Sequence, residues 1–205
     1  MAEIVLYSHK RTRGRAVHWL LEELAVPYRV EWLALGPTLQ SEAFLAINPM
    51  GKVPALTHGD TVVTETAAIL TYLADTFADK GFIPAGGTAA RAAFFRWLFF
   101  VAGPLESATT AALMDWQTPE TTRMGTPAKG FLGFSSLALT IDTLAAYLQQ
   151  QPFLCGEQFT AADIYLASHL QMDMYYTKTI APRPVFSDYL RAALQRPAKQ
   201  RVDAA

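Results

Sequence analysis

The sequence predicts an α/β unit followed by an all-helical one. Three observations carry this. The first eighty residues alternate short β-prone runs with amphipathic helical stripes, glycine and proline cluster at Gly81-Phe82-Ile83-Pro84-Ala85-Gly86-Gly87, and no strand signal of comparable strength follows. The expected organisation is an α/β domain over 1–80, a linker over 81–88 and a helical domain over 89–205.

Ile4-Val5-Leu6-Tyr7 is short, apolar and β-prone, and reads as a buried strand. A basic loop follows, His9 to Arg15. Val17, Leu20, Leu21 and Leu24 then fall at helical spacing with Glu22 and Glu23 opposite, and Pro27 stops the helix. Tyr28, Val30 and Trp32 alternate with Arg29 and Glu31, the pattern of a half-buried strand. Ser41 to Ile47 is a short helix candidate and Asn48-Pro49-Met50-Gly51 a turn. Val53 to Thr57 and Thr61 to Val63 form a hairpin joined by His58-Gly59-Asp60. Ile69, Leu70, Leu73 and Phe77 mark a second helix. The order is βαβ, a connector, then ββα. The crossing helix makes the first two strands parallel, and the last pair can be antiparallel. The result is a small mixed sheet with helices on its faces. Beyond the linker, Ala89 to Trp116 reads as a long helix kinked at Gly103-Pro104. Gln117 to Gly130 is a loop, and further helices cover Phe134–Gln151, Thr160 to about Tyr176 and Asp188–Gln195.

Composition narrows the function. With 205 residues, 51% of them apolar, the chain can build its core without a disulfide or metal. Lys and Arg number 17 against 18 Asp and Glu, which argues against a bulk grip on nucleic acid. The single Cys155 excludes an intrachain disulfide and every multi-cysteine zinc pattern, and its apolar context suits a buried, inert thiol. The amino-terminal stretch has an acid at Glu3 and no secretory apolar run, and the longest such run, Trp97 to Gly103, is far below the ~20 residues of a membrane span. The expectation is a cytoplasmic protein with no membrane, nucleic-acid or metal partner.

Four places invite chemistry. Proline within a strand pattern lacks a ladder N–H. Val53-Pro54 is therefore either an ordinary trans proline opening an edge strand or a cis peptide that turns the Val53 backbone outward, where it would pair with an extended peptide. An X-Pro bond makes cis accessible at about 0.5–1 kcal/mol, against about 2.5–4 elsewhere. Thr64-Glu65-Thr66 opens a helix, either as a plain hydroxyl cap or as a site for a zwitterion. In the second case Thr66 and the helix amino terminus face a carboxylate, and Glu65 an ammonium. The basic loop His9-Lys10-Arg11-Thr12-Arg13-Gly14-Arg15, with four Lys/Arg in seven residues, reads as a nucleic-acid or localisation patch or as a solvated charge run. Its position is more telling, since it joins a strand's carboxyl end to a helix start, where α/β folds bind ligands. Thr160 and Asp163 have capping-box spacing, so Asp163 is assigned to folding. His18 and His169 lack metal-ligand partners at useful spacing and read as structural or surface residues.

Several stretches together resemble the cytosolic-type glutathione transferases, in their bacterial theta/beta-like part. They are Trp19-Leu20-Leu21-Glu22-Glu23-Leu24 with Pro27-Tyr28; Asn48-Pro49-Met50-Gly51-Lys52-Val53-Pro54-Ala55-Leu56; Glu65-Thr66-Ala67-Ala68-Ile69-Leu70-Thr71-Tyr72-Leu73; and Gly156-Glu157-Gln158-Phe159-Thr160-Ala161-Ala162-Asp163, with Arg196-Pro197-Ala198 near the end. The resemblance implies a thioredoxin-like N-terminal domain, an all-helical C-terminal domain, and glutathione as co-substrate without a metal. Val53-Pro54 matches the cis-proline motif beside the cysteine of glutathione. Glu65-Thr66 matches the pair that holds its γ-glutamyl end, and Lys52 a position near the tripeptide. Met50 matches an interface position, which implies a homodimer. The implied reaction joins the glutathione thiolate to a small hydrophobic electrophile lying between the domains, with Phe99, Phe100, Leu105, Met114 and Trp116 as candidate lining. Isomerase, dehalogenase and peroxidase chemistry, or a non-catalytic binding module, are the alternatives. The sequence departs from the family at the catalytic position, where a Tyr, Ser or Cys is usual. Thr12 falls at a common Ser position, Arg13 at the beta-class Cys position, and Tyr7 is a third candidate that requires a gap.

Overall fold

A computed structural model describes residues 2–205. The chain forms two compact units, Met1–Ile83 with Ala193–Ala205, and Pro84–Ala192.

The first unit contains strands β1 (Ile4–Ser8), β2 (Arg29–Trp32), β3 (Ala55–His58) and β4 (Thr61–Thr64), with helices α1 (Gly14–Leu24), α2 (Glu42–Leu45) and α3 (Thr66–Thr76). The sheet order is β2-β1-β3-β4; β1 and β2 are parallel, and the other pairs antiparallel. This is the expected βαβ-ββα arrangement. Leu6 and Leu56 are buried with Leu20, Leu21 and Leu24 of α1 and Ile69, Leu70 and Leu73 of α3. Each such side chain contributes about 1.5–3 kcal/mol on burial. A second cluster holds Leu39, Phe44 and Ala55, with Tyr7, Leu33, Ile47 and Val53 packed against it. Trp32, expected on a buried face, is 42% exposed. It lies on an edge strand, so the alternation there marks neighbours rather than core.

The expected helical domain over 89–205 ends earlier, because Ala193–Ala205 packs with the first unit. These residues include α9 (Pro197–Ala204), a helix with no apolar stripe to announce it; only Ala198, Lys199 and Val202 are buried. Charge explains its place. Arg15 sits in the first turn of α1, and Glu22 and Glu23 lie in its last, which opposes the helix dipole. Each such misplaced charge costs about 0.3–1 kcal/mol. Helix α9 runs along α1 in the opposite direction and answers both ends. Asp203 pairs with Arg15, Arg201 with Glu22 at 2.5 Å, and Arg196 with Glu23 at 2.5 and 2.9 Å.

The second unit holds α4 (Ala89–Phe100), α5 (Glu106–Leu113), α6 (Leu137–Leu148), α7 (Ala161–Gln171) and most of α8 (Pro184–Leu194). The expected kink is a π-helical turn, Val101–Leu105, which contains Pro104. A wider turn accommodates a residue with no N–H. Helix α8 begins earlier than the apolar pattern suggests because Pro184 opens it, and proline is pre-set for a first turn. Asp163 is fully buried at the start of α7. It accepts hydrogen bonds from Thr160 N (2.8 Å), Thr160 Oγ1 (2.9 Å), Leu154 N (2.8 Å) and Tyr189 Oη (2.9 Å), the folding role expected of it. Among the described residues, no helix is long and apolar enough to cross a membrane.

Candidate functional site

The register of the first unit's sheet gathers the candidate residues at one edge. Tyr7 stands opposite Ala55, and Ala55 opposite Thr64. The carboxyl end of β1, the residues entering β3 and the residues leaving β4 therefore meet there. The loop after β1 brings Thr12 and Arg13 to the amino terminus of α1 at the same edge.

The Val53–Pro54 peptide bond is cis, not the trans bond of the edge-strand alternative. Ladder pairing begins at Ala55, so the backbone of Val53 lies outside it. The Val53 side chain packs inward, on the cluster that holds Tyr7 and Phe44. The turn before it is braced. Asn48 Nδ2 donates to the Lys52 carbonyl at 2.7 Å, and Asn48 Oδ1 accepts from Met50 N at 3.1 Å. Gly51 has φ +60°, and a Cβ there would lie 2.8 Å from the Leu39 carbonyl, so this corner requires glycine. Lys52 is exposed beside it.

Glu65 occupies the amino-cap position of α3 with φ 68° and ψ 125°, and its side chain makes no capping bond. This corrects the hydroxyl-cap expectation: Thr66 is the first helical residue, and it is buried. The first N–H groups of α3 have no intrahelical acceptors, and the dipole favours an anion there. A non-glycine residue in this region of φ/ψ carries about 1–3 kcal/mol of strain. The strained backbone leaves the Glu65 carboxylate exposed beside a helix end suited to negative charge. One carboxylate and one anion site side by side match a zwitterion.

The three sulfur-side candidates differ. The Thr12 hydroxyl donates to the His9 carbonyl at 2.8 Å and accepts from Gly14 N at 3.3 Å, so its proton is engaged. Arg13 is exposed and caps α1 by position, without a side-chain capping bond. Tyr7 is half-buried with its ring against Phe44, centroids 6.1 Å apart. Sequence reasoning missed Ser8, whose Oγ is fully buried and lacks a hydrogen-bond partner. A Cβ on Gly14 would lie 2.0 Å from that oxygen and 3.4 Å from Thr12 Oγ1. The available signal was Gly14 itself, a glycine at a helix start where close approach is a standard reason for one.

Of the apolar lining candidates, Leu105 is fully buried core, while Phe99, Met114 and Trp116 are 65%, 58% and 62% exposed on the second unit. The other reactive groups are structural. Burial pushes the Cys155 thiol up to about 11. His18 shares a 2.9 Å hydrogen bond with the Tyr28 hydroxyl, and burial holds it below its ordinary value.

Known proteins match both halves of the chain. Residues 13–76 match the glutathione S-transferase N-terminal domain and residues 128–192 the C-terminal domain. Glutathione S-transferase 3 of Zea mays is 30% identical over 175 residues, which cover 79% of this chain and 75% of that one. Glutathione S-transferase GstA of Escherichia coli O157:H7 is 32% identical over 129 residues; the match spans 62% of this chain and 60% of that protein's length. The theta class glutathione S-transferase of Xanthomonas axonopodis pv. citri, solved with glutathione bound, superposes with a TM-score of 0.74 at 26% identity, covering 98% and 97% of the two chains.

Proposed function

The chain belongs to the glutathione S-transferase family, and from that premise we propose that it binds glutathione at the sheet edge just described and joins its thiolate to a small hydrophobic electrophile. The observation that carries the reading is the placement of Val53 and Glu65 by one β-ladder register. The Val53 backbone pairs with the extended tripeptide. Glu65 takes the ammonium of the γ-glutamyl end, Thr66 and the α3 amino terminus take its carboxylate, and Lys52 lies alongside.

The sulfur must reach the thiolate form, which is the nucleophile. Moving a thiol from about 8.5 to about 6.5 requires about 2.7 kcal/mol of preferential stabilisation. A helix amino terminus supplies about 0.3–1 kcal/mol, at most ~2. One hydrogen bond to the charged sulfur supplies about 1.5–3. At mid-range values the two together reach this figure, and the dipole alone does not. Thr12 furnishes the hydrogen bond by turning its hydroxyl from the His9 carbonyl to the sulfur, and Arg13 furnishes a guanidinium. Tyr7 is the weakest of the three, since its ring is held against Phe44. The test is the pH–rate profile of conjugation to an activated aryl halide. Thr12→Ala or Arg13→Ala is expected to raise the apparent pKa of the reacting thiol. If neither changes the profile, this assignment is wrong.

One observation favours a second reading, a glutathione-binding module without turnover: the Thr12 proton is already held by His9. Glutathione binding with no turnover on aryl halides, haloalkanes, peroxides or isomerisable substrates would select it. Turnover on one of the last three would select dehalogenase, peroxidase or isomerase chemistry at the same cradle. The proposal extends to a cytoplasmic homodimer in which Met50, 66% exposed, enters the partner.

A further inference from the structure

The amino-terminal turn of α1 is closed by backbone bonds, Arg15 N to the Thr12 carbonyl at 3.2 Å and Ala16 N to the Arg13 carbonyl at 3.0 Å. Arg13, at its cap position, makes no side-chain capping bond, and the bond from Gly14 N to Thr12 Oγ1 is long at 3.3 Å. The positive charge of Arg15 lies on the helix's positive end. What faces this turn from outside is the last turn of α9. Arg15 Nη2 donates to Asp203 Oδ1 and, at 3.4 Å, to the Val202 carbonyl. The same Asp203 carboxylate takes Lys199 Nζ at 2.5 and 2.6 Å. The Lys199 side chain is 3% exposed, and its ammonium lies 5.7 Å from the Trp19 ring centre. Asp203 thus bridges a buried cation of α9 to a cation on the first turn of α1.

The opposite end of α9 is anchored separately. Arg196 grips Glu23 with two bonds, Trp19 Nε1 donates to the same carboxylate at 3.0 Å, and the Glu23 side chain is only 8% exposed. The contact at Asp203 can therefore change while α9 stays docked.

We propose that α9 is an external clamp on the amino-terminal turn of α1, and that Asp203, acting through Arg15, is a positioning residue for the sulfur end of the ligand. The clamp follows from the charges and distances above; its link to the sulfur rests on the functional reading of the preceding section. Its physical role is twofold. A carboxylate beside the helix's positive end offsets Arg15, which otherwise opposes the dipole there. The ion pair also fixes the turn that Thr12 and Arg13 enter, so the groups meeting the sulfur are ordered before it arrives.

Amide hydrogen exchange on the full chain tests the clamp without reference to glutathione. The reporters are the amides of Arg15 and Ala16, bonded at 3.2 and 3.0 Å within the turn, with that of Ile69 in α3 as internal control. In Asp203→Asn, exchange at Arg15 and Ala16 is expected to rise about 10-fold or more while Ile69 is unchanged. Asp203→Glu restores protection. Arg15→Gln, which leaves the Lys199 pair intact, gives the same local rise if Asp203→Asn folds poorly. No rise in either variant, or an equal rise at Ile69, overturns the clamp. Titration with glutathione then tests positioning: Arg15→Gln is expected to weaken binding about 3- to 10-fold. Unchanged affinity despite faster local exchange overturns the positioning role. Wild-type protein that takes up no glutathione overturns the functional reading and with it the sulfur role, and exchange still decides the clamp.

Discussion

Ala55 stands opposite Thr64 in the β3–β4 ladder, and this single register sets the entry to β3 against the exit from β4. Val53, two residues before Ala55, and Glu65, one residue after Thr64, become neighbours at the open end of the hairpin. Their backbones are both unusual, one preceding a cis bond and the other at φ 68°. The Val53 side chain packs on the Leu39–Phe44 cluster, while both backbones lie outside the β3–β4 ladder. Both present polar groups along one edge.

Strain at Glu65 predicts a trade between stability and binding. Glycine adopts that backbone freely, so Glu65→Gly is expected to raise stability by about 1 kcal/mol or less, the relief being partly offset by the freer unfolded chain. The same change removes the carboxylate and weakens glutathione binding. Urea unfolding and a glutathione titration on one preparation check both halves. A loss of stability would mean that Glu65 supports the fold.

The Ser8–Gly14 contact predicts a coupled pair. Gly14→Ala drives a methyl to 2.0 Å from Ser8 Oγ and is expected to cost about 1–3 kcal/mol. Ser8→Ala removes a buried hydroxyl without a partner and is expected to be neutral or stabilising by about 1 kcal/mol. Combined, the two should cost less than their sum, measured by a double-mutant cycle in urea. Strict additivity would show that the neighbouring backbone absorbs the methyl.

Acidification is expected to act on the two units with opposite sign. Burial holds His18 below its ordinary 6.5. Its contribution to the first unit is present above that value and is lost as pH falls through the depressed one. For His169, burial opposes protonation, but the Asp173 and Glu106 carboxylates at 3.6 and 3.7 Å outweigh it and raise the value. Its contribution is present below 6.5 and is lost as pH rises through the raised value. Exchange protection, corrected for intrinsic rates, should therefore fall in α1 and rise in α7 on acidification. His18→Gln and His169→Gln should each remove one trend. Loss of both trends in a single variant would contradict the assignment.

Cys155 should be inert in the folded protein. With its thiol near 11, the thiolate at pH 8 is about 200-fold scarcer than for a free thiol near 8.5. Labelling by iodoacetamide is expected to be slow natively and fast in denaturant. Equal rates would show that the site opens readily.

Much of the fold was legible because apolar spacing and proline and glycine punctuation report it directly. Leu20, Leu21 and Leu24 announced α1. The Thr160–Asp163 box was legible for the same local reason. Helix α9 was not, since pairs such as Arg196–Glu23, far apart in sequence, hold it rather than an apolar face. Glu65 was legible as a charge but not as a strained backbone, because φ is not written in residue type. Ser8 was invisible, since burial of one hydroxyl depends on where α1 comes to rest. The sulfur contact stayed open because Thr12, Arg13 and Tyr7 share one edge, and only side-chain partners distinguish them.

The most direct test of the central claim is a calorimetric titration of the wild-type protein and of Glu65→Ala with glutathione. The account predicts saturable heat at one site per chain, with affinity about 10-fold weaker or more in the variant, as expected for loss of a hydrogen bond to a charged group. Absence of heat with the wild type, or equal affinity in the two proteins, would contradict it.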